Sequence, residues 1–124
     1  MYPEALIYLN KTNLENTLFK IDLRRLTAKI YFETDSTENL LSFLDAFSHY
    51  LKNIRTIDQI IINRNIKFIK YLKKIIKFKA SPFKASLFKA SPDDSFELNN
   101  LQNSLLKENV SEKNWLLLKI SEII

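Results

Sequence analysis

Not one of the 124 residues is glycine. Three widespread chemistries need a residue without a Cβ at a tight turn: the glycine-rich phosphate loop, the dinucleotide-binding turn and the strained elbow of a serine hydrolase. All three are excluded. The same absence bears on β-hairpins, whose favoured two-residue loops call for Gly or Asn at positive φ.

Strands are nevertheless what the first third of the chain predicts. Glu4 to Leu9 is a short apolar stretch. TLFKIDL alternates Phe19, Ile21 and Leu23 with Lys20 and Asp22, and AKIYFE alternates Ala28, Ile30 and Phe32 with Lys29, Tyr31 and Glu33. Two adjacent strands follow, joined at Arg24-Arg25-Leu26 by a longer or bulged connection, because neither Gly nor Asn is there to close a tight one. A helical reading of Leu14 to Leu26 stays open.

Helical signals dominate afterwards. DSTENLLSFLDAFSHYLKN sets Asp35 three residues ahead of Glu38, a capping-box arrangement, and places Leu40, Leu44, Phe47 and Leu51 on one face. Ile57 to Asn63 reads either as a fourth strand or as the first turns of the next helix. In NIKFIKYLKKIIKFK, Phe68, Ile69, Tyr71, Leu72, Ile75, Ile76 and Phe78 take one half of a helical wheel. Lys67, Lys70, Lys73, Lys74 and Lys77 take the other, so this is a basic amphipathic helix. Ser91-Pro92-Asp93-Asp94 supplies a cap hydroxyl, a proline for the first helical position and two acids for the first turn; Leu98, Leu101 and Leu105 continue the apolar face. A break near Asn109 and a cap at Ser111 lead into EKNWLLLKISEII, a last helix apolar around most of its circumference.

Between the basic helix and Asp93 the chain says nearly the same five residues three times, FKASPFKASLFKASP. Five residues turn a helix by about 140° and flip a strand to its other face, so Phe78, Phe83 and Phe88 cannot share a face of either. The repeat therefore reads as a linker. The expected architecture is an α+β domain with a small antiparallel sheet covered by helices. An α+β core spans 1–79 and ends in the basic helix, a linker spans 80–92, and a helical C-terminal segment, 93–124, packs on the same domain. A mainly α fold is the alternative.

With 46% hydrophobic residues the chain can bury a core. Lack of cysteine removes disulfides, thiolate nucleophiles and sulfur-ligated zinc. No basic start precedes an apolar run, and no apolar run has the length of a membrane span, so a cytoplasmic protein is expected. Charge is unevenly placed. Lys52 to Lys89 holds eleven basic residues and one acid, Asp58, against eight basic and thirteen acidic residues elsewhere.

That distribution makes Lys67, Lys70, Lys73, Lys74 and Lys77 candidate contacts for phosphates, of nucleic acid first and of an anionic membrane surface second. The plainer reading is a solvated helix face, since 15 Lys against 4 Arg suits an AT-rich gene. Lysine without arginine argues against base-specific readout, because bidentate pairing to guanine favours the arginine fork. A third version has the lysines neutralised by the acidic stretch Asp93 to Glu97. Trp115, Leu116, Ile120 and Ile123 are the candidate interface for a homodimer or a protein partner, the basis of an adaptor role.

No catalytic constellation stands out, so a noncatalytic binding module is expected, without cofactor, metal or small-molecule substrate. His49 falls opposite the apolar face of its helix, where a general base would lack shelter. Glu33, Asp35, Asp93 and Asp94 sit where helices start, and capping accounts for them. Ser81-Pro82 and Ser91-Pro92 have the minimal form of proline-directed phosphorylation sites.

Overall fold

A computed structural model describes residues 3–79 and 92–123, with side chains over 14–79 and 95–123. Five helices are present among them: α1 Pro3–Glu33, α2 Thr37–Asn53, α3 Gln59–Lys79, α4 Pro92–Lys107 and α5 Lys113–Ile123. None of the described residues is in a strand. The expected α+β fold is thereby corrected to an all-α one.

The correction has a geometric cause. Residues i and i+2 lie about 200° apart on a helix, so two apolar stripes on opposite sides of one helix read in a short window like strand alternation. α1 carries two such stripes: Ile21, Ala28 and Phe32 are buried, whereas Phe19, Leu23, Leu26 and Ile30 are exposed. All three strands expected before residue 34 belong to this one 31-residue helix. Of the Ile57 to Asn63 segment, Gln59 to Asn63 forms the start of α3. Asp58 is its cap, the carboxylate Oδ1 accepting from Ile60 N at 2.9 Å and the carbonyl from Ile61 and Ile62 N–H groups at 3.1 and 3.2 Å.

Chain contacts divide the molecule into two units, Met1–Ile62 and Asn63–Ile124, and the division falls inside α3. In the first unit α1 and α2 pack together. Tyr31 and Phe43 meet edge to face with centroids 5.8 Å apart, and the Arg24 guanidinium lies 3.8 Å above the Tyr50 ring. Going from Tyr31 back to Arg24 on α1 is matched by going from Phe43 forward to Tyr50 on α2, so the helices run antiparallel. Leu40, Leu44, Phe47 and Leu51 are all buried, as the sequence pattern of α2 requires.

The joint between α1 and α2 shows how a chain without glycine closes a helix. Asp35 takes φ 56°, the left-handed position that glycine usually fills. Its N–H reaches Phe32 O at 3.3 Å and the Ser36 N–H reaches Tyr31 O at 3.0 Å, the two bonds of a Schellman motif. The expected capping box does not form, since Ser36, not Asp35, is the N-cap of α2 and makes no side-chain capping bond.

The second unit holds most of α3 with α4 and α5. Phe68, Leu72, Ile75, Leu98, Leu105, Leu116 and Ile120 are fully buried. α4 starts at Pro92, where the proline and following acids place it. Glu112 has φ 59° and its carbonyl accepts the Leu116 N–H at 3.0 Å, so the cap of α5 lies one residue after the one expected at Ser111. The Ser111 N–H instead donates to Arg64 O at 3.2 Å and ties this connection to α3. The pentapeptide repeat and both Ser-Pro serines lie outside the described residues. No described helix is long and apolar enough to cross a membrane.

Candidate nucleic-acid interface

Three of the five candidate lysines come together along α3. Lys70, Lys74 and Lys77 are exposed, at the i, i+4, i+7 spacing that stacks side chains on one helix face. They form one wall of an open groove of about 470 Å³. The rise of a helix sets about 6 Å between the first two and about 4.5 Å between the next. Lys67 and Lys73 are half-buried beside this row. Among the described residues Lys70 and Lys77 make no ion pair.

α4 forms the facing wall with Glu97, Asn100, Leu101 and Ser104, and Glu108 stands just beyond its end. Leu101 is buried and belongs to the apolar stripe legible in the sequence. The neighbouring polar stripe was overlooked, although Glu97, Asn100, Ser104 and Glu108 follow helical spacing and could have been found by it. Glu97 lines the same groove as Lys70, Lys74 and Lys77 but forms no ion pair with them; the side chains of Asp93 and Asp94 are outside the described set.

The floor holds a contact without any sequence signal. Tyr71 is buried, and its phenol donates to Glu108 Oε2 at 2.8 Å across 37 residues of chain. Burial first, then this hydrogen bond and the carboxylate's charge, push the phenol up to about 12 from an ordinary value of 10. The Lys74 ammonium lies 5.8 Å from the same ring. Tyr71 thus stays neutral and fixes the Glu108 carboxylate at the groove's end.

The other candidate surface is partly buried. Leu116 and Ile120 are fully buried, Trp115 is half-buried with its ring 6.4 Å from that of Phe68, and Ile123 is half-buried. His49 is exposed, and no group of three or more His, Cys, Asp or Glu fit to hold a metal occurs among the described residues. Chemically the groove offers a row of primary ammonium groups on the α3 side and two carboxylates, Glu97 and Glu108, on the other. Compared with known proteins, the chain matches no family model, no curated protein and no solved structure.

Proposed function

We propose that the protein is a small noncatalytic module of the cytoplasm that contacts nucleic acid nonspecifically through Lys70, Lys74 and Lys77, with Lys67 and Lys73 at the margin. The observation that supports this reading most is the exposed, evenly stacked lysine row. Three ammonium groups at helical spacing can each approach a phosphate while the helix stays rigid, and lysine's point charge suits the backbone over a base edge. The carboxylates of Glu97 and Glu108 on the far wall repel phosphate, so the strand follows the α3 side of the groove.

Fluorescence polarization with labelled single-stranded and duplex oligonucleotides across a salt series tests the proposal. Neutralising three phosphates gives a log–log salt slope of about −2 on single strands and nearer −3 on duplex DNA. The triple variant Lys70→Gln, Lys74→Gln, Lys77→Gln loses that slope, and unrelated oligonucleotides bind the parent protein alike. Absence of binding at low salt, or a slope unchanged in the triple variant, would sink the proposal.

A further inference from the structure

The outer stripe of α1 has no place in the lysine groove. Phe19, Leu23, Leu26 and Ile30 are 62%, 45%, 50% and 52% exposed. Their steps of four, three and four residues are the alternation of a coiled-coil seam, and the four side chains lie within about 60° of the helix circumference. Single exposed apolar residues are ordinary on a protein surface. Four in one register make a patch, and a patch of this kind marks a contact.

The occupant is legible in how the stripe ends and what borders it. The four positions are symmetric about a point between Leu23 and Leu26. A second copy laid antiparallel across that point sets Phe19 against Ile30 and Leu23 against Leu26, each twice. One step further out, Asn16 of one copy meets Glu33 of the other, polar against polar, and both are exposed in the single chain. Along the edges Asp22 of one copy faces Lys29 of the other, again twice. A parallel pair lacks these matches, since Glu33 would face Glu33 and Asp22 would face Thr27. Asp22 also pairs with Arg25 one turn along its own helix.

We infer that two copies of this chain associate through the outer face of α1 as an antiparallel, two-fold pair. Both copies use the same residues, so the contact closes on itself and no filament follows. Eight apolar side chains make a small seam beside the roughly 1,600 Å² of a standard interface, so the association is reversible and grows with concentration.

Sedimentation equilibrium of the full chain, without nucleic acid, from micromolar to near-millimolar concentration reads this directly. The mass is expected to climb from monomer toward dimer. Leu26→Glu, at an exposed position, keeps the helical circular dichroism and stays monomeric. Asp22→Lys turns two attractive contacts into repulsive ones and weakens association about tenfold; adding Lys29→Asp restores it. A wild-type monomer at every concentration, or a dimer that survives Leu26→Glu, overturns the inference, and failure of the double charge exchange to restore association overturns the antiparallel register.

Discussion

Tyr71 is the residue with the most to lose from a change of environment. Its phenol is held neutral by burial and by Glu108, and the folded value of about 12 lies above the unfolded one of 10. Below pH 10 both states keep the proton and the contribution to stability is whole. As pH rises from 10 toward 12 the unfolded chain releases its proton first, so stability falls through that window, by less than the full shift implies because the groove beside the hydroxyl is open to solvent. Urea unfolding of wild type and Tyr71→Phe at stepped pH is expected to show a shallower alkaline loss in the variant. Equal losses would mean that the phenol titrates alike in both states. At neutral pH the variant loses about 1 kcal/mol with the hydrogen bond.

At the level of helices and joints, the two left-handed residues stand out because the chain has no glycine to place there. Asp35 is tolerated in that region, as short polar side chains are, but it carries a Cβ that glycine would not. Asp35→Gly is expected to leave the Schellman turn intact and to raise stability by about 0.5 to 1 kcal/mol, and Asp35→Val to lower it by about 1 kcal/mol or more. Thermal unfolding of the three proteins checks the order. How much of this was legible varies with the element. α2, the lysine half of α3 and the Pro92 start of α4 were plain, since one apolar face and strong start signals coincide there. α1 was not, because a helix with apolar residues on two sides imitates a strand over seven residues, and nothing local distinguishes them. The Asp35 to Glu38 spacing was read as a cap while the structure uses Asp35 one step earlier, to end α1. The lysines of the groove were readable from charge and periodicity; the wall that faces them, above all the Tyr71 to Glu108 bond, depends on long-range packing that no spacing announces.

The whole molecule divides into two units. Among the described residues, eight buried apolar residues precede Asn63 and twelve follow it. The single tryptophan, Trp115, belongs to that second unit, with Phe68 on one side and the Lys119 ammonium 5.7 Å from its ring. Excitation at the red edge of the absorption band therefore makes half of the molecule luminous and leaves the other half, lit only by tyrosines, dark. In a denaturant titration the far-ultraviolet signal counts every helix, whereas the tryptophan emission reports the second unit alone. Two offset curves would show that the units melt in turn; superimposed curves would show that they melt as one cooperative transition.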